Sequence, residues 1–456
     1  HWITDVDVVR GAVAGDTIER TYYTGDGAPK MTYSPIAVQG GTQYPVASYL
    51  LGVPAPGTTC STAAAGAADP LLPAETRVYV VTYVTGIGEE GPPSPASNEV
   101  VVGAGQSVNL TSIPLGPSGN YNITHKRIYR TSGTNAELHY VAQVLVNTTT
   151  YSDTVETVGA PIESMNWVPP PSDLFGLCQH PGGFMVGFSG NMVCFSEAHV
   201  PSAWPEEFRG ATGATIVGGG IFGNSVLVTT TKNPVIFSGT DPAGMFPELI
   251  EINAPCVAKR GIVDMGEAIA YPSMDGLWFV GDGVFKNVLL GLVPIEEWRA
   301  LNPASLTGVF HDGKYFGFYN NGGYGAFAFD PVAMDFRYID VGAEVTAATA
   351  SVGDGVLYVV VGGDIKTFDT GAALTQVWKS PRQTVLRVPP SAQVVARAYP
   401  VTFKQYGGGI LRMTKTVSNS LPFRLASGKQ DRTIEFEVSG TNEVVSVQVG
   451  DAEALA

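Results

Sequence analysis

Charge is scarce in this 456-residue chain. Only 15% of residues are Asp, Glu, Lys or Arg, and the basic ones are the rarer kind, 26 against 41 acids for a net charge of −15. A net acidic protein does not grip nucleic acid through a general phosphate contact. No run of about eighteen apolar residues occurs, so no helix is expected to span a membrane. The four cysteines, Cys60, Cys178, Cys194 and Cys256, show no CxxC spacing and have no histidine cluster beside them. They read as buried free thiols, with a Cys178–Cys194 disulfide as the alternative. The six histidines (1, 125, 139, 180, 199, 311) lack HxH or HExxH spacing, which leaves surface or core roles. There is no GxSxG elbow. The chain starts His1-Trp2 without Met and without a signal-peptide pattern, so upstream sequence is expected to be missing or processed. With no secretory signal, the triplets headed by Asn109, Asn122 and Asn147 read as chance.

What is present is apolar and turn-rich. Hydrophobic residues make up 44%, enough for a large core, and 55 Gly with 32 Pro punctuate the chain aperiodically, which excludes collagen. "RVYVVTYV", "GILRMTKTV" and "TIEFEVSG" alternate with a period of two, the signature of strands. "PIEEWRALNP", Pro294 to Pro303, is the best helical signal, with Pro in the first turn, two acids after it and a terminating Pro.

Five segments repeat a layout of turn, apolar strand, turn, apolar strand. Anchored at Gly182, Asn224, Asp275, Asp312 and Asp354, they recur at intervals of 42, 51, 37 and 42 residues. A period near forty with four short strands per unit is that of a β-propeller blade. One small sheet cannot bury both faces alone, and radial stacking does it for every sheet. "GDGAPK" at 25–30 is echoed by "GDGVFK" at 281–286. Neither copy has the GxxxxGK[ST] spacing of a phosphate loop, so both read as hairpin turns.

The expected class is therefore all-β, a β-propeller with an inserted fibronectin type III-like β-sandwich and a C-terminal β region. Residues 1–40 begin the propeller as outer strands of a blade, 41–75 form a linker, 76–160 the sandwich, 161–378 the blades, and 379–456 a basic C-terminal β region. Between Lys379 and Ile434 stand ten basic residues and one acid, Asp431, for +9, with the remainder at −24. Such asymmetry reads either as a docking surface or as charges scattered over a solvated sheet.

Candidate chemistry is thin. The pairs Glu89-Glu90, Glu206-Glu207 and Glu296-Glu297 read as solvated loop charges, because strand neighbours point to opposite faces and cannot oppose each other across a pocket. Asp5 and Asp7 would face one side of a strand, which allows a weak cation site. "VGGGIFGN", 217–224, lies between strands and is not a dinucleotide loop. Trp204, Trp278 and Trp378 read as blade packing. No catalytic, cofactor-binding or metal residue is assigned, no cofactor is implied, and the chain is not read as an enzyme.

Several stretches do resemble known text. "GDTIERTYYTGDGAPKMT", "GIGEEGPPSPASNEV", "ITHKRIYRT", "GFMVGFSGNMVCFSEAHVPSAWP", "CVAKRGIVDMGEAIAYPSMDGL" and "EEWRALNP" look like segments of structural tail proteins of short-tailed bacteriophages, in order over most of residues 6–310. "IEFEVSGTNEVVSVQVG" is similar more loosely. The closest group is the nozzle, or tail tubular protein B type. The resemblance implies a virion tail protein assembled in the host cytoplasm as a homo-oligomer, a hexameric ring at the distal tail. Its partners would be adaptor or portal-associated proteins, tail fibres or spikes, and genomic DNA passing through the lumen without sequence-specific binding. Acids on the lumen wall would keep DNA from adhering. A propeller-based receptor- or glycan-binding adhesin is the alternative, and a propeller glycoside hydrolase a further one.

Overall fold

The computed structural model describes residues 2, 4–11, 13, 16–133, 135–426 and 431–450. The chain divides into two compact units, 1–366 and 367–456. Both are built from strands.

In the first unit, successive antiparallel meanders form one sheet each. The first sheet uses Asp7–Arg10, Arg20–Thr24, Lys30–Tyr33 and Tyr49–Leu50. After an insertion come the sheets Phe175–Gln179 to Arg209–Ala211, Ile216–Phe222 to Phe246–Leu249, Val263–Asp264 to Val284–Asn287, and Thr307–His311 to Asp335–Asp340, each with four strands. A three-stranded sheet, Ala347–Ala350, Leu357–Val361 and Asp364–Thr367, follows. The first strand of each sheet packs against the first strand of the next. That radial order of small meanders is a propeller.

Burial explains the order. Apolar clusters lie between neighbouring sheets. Phe188, Phe195, Val228 and Phe237 join the second and third sheets. Leu227, Ile269 and Tyr271 join the third and fourth, and Leu277, Trp298, Tyr315 and Phe327 the fourth and fifth. Each fully buried side chain of this size contributes roughly 1.5–3 kcal/mol. The stretch Gly218-Gly219-Gly220 sits on the inner strand of the third sheet. A Cβ on Gly218 would meet Ile262 Cδ1 at 2.7 Å, and one on Gly220 would meet Ile269 Cδ1 at 2.8 Å. These glycines let blades approach closely.

The repeat register needs one correction. Gly182, Asn224, Asp312 and Asp354 all lie in or beside the hairpin between first and second strands, but Asp275 lies in the next hairpin, between Ala268–Ser273 and Gly276–Gly281. The equivalent position is Gly266, φ +91°. With it the intervals become 42, 42, 46 and 42 residues, so the apparent 51 and 37 come from one misplaced anchor.

"GDGAPK" is the turn between Arg20–Thr24 and Lys30–Tyr33. Lys30 Nζ bonds Asp26 at 2.7 Å, and Gly25 at φ +94° lies so close to the Asp5 backbone that a Cβ would clash with the Asp5 carbonyl oxygen. The 41–75 stretch is not a linker throughout: Tyr49–Leu50 completes the first sheet and Ser61–Ala65 enters the insertion. Nor does the chain begin in outer strands, since Asp7–Arg10 packs as an inner strand against Phe175–Gln179.

The insertion is a sandwich. Tyr79–Thr85, Ile123–Ser132 and Asn135–Leu145 form one sheet, and Ser61–Ala65, Ser107–Thr111 and Tyr151–Asp153 another. Tyr79, Val81, Val108, Leu110 and Ile128 fill the space between them.

The second unit also wraps one core, with Val394, Phe403, Phe436 and Val438 at its centre. Trp378 belongs here, on Gln376–Lys379 paired to Thr433–Gly440 and outside the blade sheets, and is 51% exposed. The unit carries ten basic and seven acidic residues, +3, leaving −18 on the first. The +9 window stopped one residue short of Glu435. Lys379 and Arg382 pair with Glu435, Lys404 with Glu437, Arg397 with Glu443 and Arg412 with Asp431. Much of the basic excess is therefore neutralised locally, which favours the solvated-sheet reading over a docking patch.

Candidate functional site

Four charged side chains of the propeller, Asp5, Asp7, Lys259 and Arg260, meet beside its inner strands. Asp5 and Asp7 lead into and begin the inner strand of the first sheet. Lys259 and Arg260 come from a 3-10 turn, Lys259–Gly261, ahead of the fourth. Lys259 Nζ lies 2.7 Å from Asp7 Oδ2 and 3.2 Å from Asp5 Oδ2. Asp7 Oδ2 also accepts from the Gly176 N–H at 2.9 Å and the Thr24 hydroxyl at 3.3 Å. Arg260 Nε lies 3.4 Å from Asp5 Oδ1, while its Nη1 donates to the Thr346 carbonyl at 2.6 Å. Thr346 directly precedes the inner strand of the last sheet. No strand is shared between the first and last sheets among the described residues, and side chains tie the two ends.

Asp5 and Asp7 thus do face one side, as the spacing implied, and the cation between them is the protein's own ammonium. Among the described residues no group of three or more His, Cys, Asp or Glu could hold a metal ion. Beside the cluster opens a polar cleft of about 420 Å³. Its Glu344 accepts from Asn320 Nδ2 at 3.0 Å. Each carboxylate named here is engaged by a cation or an N–H donor, so the constellation holds elements in place.

A second charged joint links the first sheet to the insertion. Glu90 is buried and the Glu89 side chain is only 11% exposed, contrary to the expected solvated loop. Glu89 Oε1 accepts from Arg20 Nη1 at 2.8 Å, and Arg20 Nε lies 2.6 Å from Asp16. Burial pushes the Glu89 carboxyl above its usual range, against the pull of Arg20. Glu90 turns the other way and accepts from Thr82 Oγ1 at 2.5 Å, Tyr129 OH at 2.8 Å and Arg127 Nη1 at 2.5 Å. Adjacent residues pointing to opposite partners is strand geometry. Glu206, Glu296 and Glu297 are exposed as expected.

Buried polar groups inside the sandwich gave no sequence signal. Arg130 Nε lies 3.1 Å from Asp153 Oδ2, which also accepts from Tyr79 OH at 2.7 Å. Lys126 is fully buried, and its Nζ donates to the carbonyls of Pro114 at 2.6 Å and Thr148 at 2.5 Å. Burial pulls its pKa down to about 8. In the second sheet of the propeller, His180 is buried and stacked on Phe184, and its Nδ1 accepts from the Gly182 N–H at 3.0 Å. Burial holds its pKa below the usual value, the state of a core histidine. All four cysteines are free.

No protein-family model and no curated protein matches the chain. Among solved structures it is similar to apo AztD from Citrobacter koseri, with 10% identity over 65% of this chain and 80% of that one, TM-score 0.32. It is also similar to BBS1N in complex with ARL6DN, with 11% identity over 80% and 92% and TM-score 0.33. A third likeness is to the WD40 β-propeller domain of Doa1, with 9% identity over 68% and 88% and TM-score 0.30. At those scores the likeness carries no argument, and the propeller assignment rests on the sheets themselves.

Proposed function

We propose that the chain is a structural protein of a phage tail, one subunit of a ring-shaped nozzle at the distal tail through which the genome is retained and ejected. The observation that carries this reading is where the tail-protein-like segments fall. "GDGAPK" is the turn that abuts the Asp5 backbone. "GIGEEGPPSP" supplies Glu89 and Glu90, the joint between propeller and sandwich. "CVAKRG" supplies Lys259 and Arg260 beside the inner strands. "EEWRALNP" inserts Trp298, whose Nε1 donates to the Ser273 carbonyl at 2.8 Å. The resembling segments thus include residues that join one element to another, which supports a scaffold reading.

The ion cluster also bears on where DNA would pass. One lysine side chain spans from the fourth sheet to the first, so the propeller axis is far narrower than a duplex, whose major groove alone is about 12 Å wide. The lumen of the nozzle is then the space enclosed by several subunits, with the propeller a solid wall element and the sandwich its fibronectin type III-like insertion. The −18 of the first unit supplies that wall with a charge that repels phosphate. Immunogold labelling of intact virions with an antibody to this chain tests the assignment. Label at the tail tip is expected, and label absent from the tail removes the proposal.

A further inference from the structure

The outer face of the sandwich carries a cleft that the nozzle reading does not use. It measures about 420 Å³, within the roughly 300–1,000 Å³ of small-ligand sites. Its floor is the polar row on the sheet's outer face, where Glu90 holds both Arg127 and Tyr129. Glu90 is 8% exposed, so the row is preorganised under low dielectric. Arg127 uses Nη1 on Glu90 and Nε on Gln143, and has further N–H groups on its planar fork.

The walls are aromatic. Tyr140 stands edge-on to Tyr129, with ring centroids 5.9 Å apart. Half-buried Trp167 and exposed Glu163 also line the cleft, both from the 160–167 segment. That segment is fixed by backbone pairing. Gly159 N–H donates to the Tyr140 carbonyl at 2.7 Å, Tyr140 N–H to the Ala160 carbonyl at 2.9 Å, and Trp204 N–H to the Val168 carbonyl at 2.7 Å. A Cβ at Gly159 would come within 3.1 Å of the Tyr140 ring, so the glycine lets this segment lie on it.

Rigid aromatic faces above an Arg–Glu pair match one ligand chemistry. A pyranose offers an apolar C–H face to a ring and pairs of neighbouring hydroxyls, each donor and acceptor at once, to a guanidinium–carboxylate pair. The cleft holds two carboxylates, Glu90 and Glu163, against one guanidinium, which disfavours acidic sugars. We propose that this cleft binds a neutral hexose unit of a glycan, with Trp167 and Tyr140 as platforms and Arg127 and Glu163 as hydroxyl partners. It goes beyond the nozzle reading and is tested on the isolated protein, so either can fail without the other.

The test is saturation-transfer NMR on the purified full chain with the methyl glycosides of glucose, galactose and mannose. A Pro-rich peptide serves as the competing probe, since aromatic grooves also take polyproline segments. At least one glycoside should bind with a dissociation constant on the order of 1 mM, as befits a small polar ligand. Trp167→Ala should weaken it about tenfold or more, Trp167→Phe should recover most of the affinity, and Glu163→Gln should weaken it severalfold. The thermal midpoints of these variants should match the parent. Saturation transfer absent for all three glycosides at 10-fold above that concentration, or unchanged in Trp167→Ala, overturns the proposal. So does clear binding of the peptide, weakened in Trp167→Ala, where none of the glycosides binds.

Discussion

Replacing Lys259 with Met keeps the stem and removes the charge that joins the first and fourth sheets. At 2.7 Å from Asp7 and 3.2 Å from Asp5 the gross attraction is large. With an effective dielectric of about 20, each contact is worth roughly 5–6 kcal/mol before desolvation. Lys259 and Asp7 are each 23% exposed, so solvent screening and desolvation remove most of it. Asp7 keeps its bonds from Gly176 N–H and Thr24 in the variant. A net loss of about 2 kcal/mol results. For a 366-residue unit the unfolding entropy is large, so this lowers the thermal midpoint by only about 2–3 °C. Calorimetry should resolve the transition, and a cycle with Asp7→Asn should return a coupling of about 0.5–3 kcal/mol that shrinks in 1 M salt. A midpoint unmoved by Lys259→Met, with no coupling to Asp7, would refute the idea that this cluster closes the propeller.

Other consequences follow from local physics. Burial sets the folded pKa of Lys126 at about 8 against 10.5 for the free group. The unfolded chain then binds more protons between those values, so stability is flat below about pH 8 and rises by about 3 kcal/mol towards pH 10.5. In urea melts from pH 7.5 to 9.5, Lys126→Met should lack that rise, and equal slopes in both proteins would contradict the assignment. The thiols of Cys194 and Cys256 are pushed up to about 11 and that of Cys178 to about 12 by burial. At pH 8 these three should react with iodoacetamide only on unfolding, read by mass spectrometry; rapid labelling of the native protein would show the burial to be wrong. Gly25→Ala meets both a positive φ and the Asp5 backbone and should cost about 2–3 kcal/mol, whereas Gly27→Ala, φ +78° with open space, should cost about 1 kcal/mol. Equal losses in denaturant titration would remove the close approach at Gly25.

Much of the architecture was legible because it is local. Period-two runs such as Tyr79–Thr85 and Thr433–Gly440 became strands, and the forty-residue recurrence became consecutive meanders. The Pro-bounded "IEEWRA" became the helix Ile295–Ala300. What stayed hidden depends on contacts distant in sequence. Nothing near Asp7 announces Lys259, which is 252 residues away. Glu89 and Glu90 look like loop acids until Arg20, Arg127 and Tyr129 fold onto them. The short strand Tyr49–Leu50 carries no pattern of its own inside a Gly- and Pro-rich stretch. Asp275 misled the repeat register because consecutive hairpins of one blade carry similar turn residues, and only pairing tells first from second. The basic C-terminal run lost much of its excess once Glu435 and Glu437, on Thr433–Gly440, and Glu443, just before Val444–Gly450, were found paired to its cations. The cleft at Trp167 was missed because its walls come from three separate stretches of chain.

The most direct test of the account is electron microscopy of the purified protein, alone and on isolated tails. A ring with an open axial hole seated at the tail tip, each subunit a solid propeller, is the result expected. A monomer absent from the tail axis would contradict the nozzle and leave glycan binding as the function to pursue.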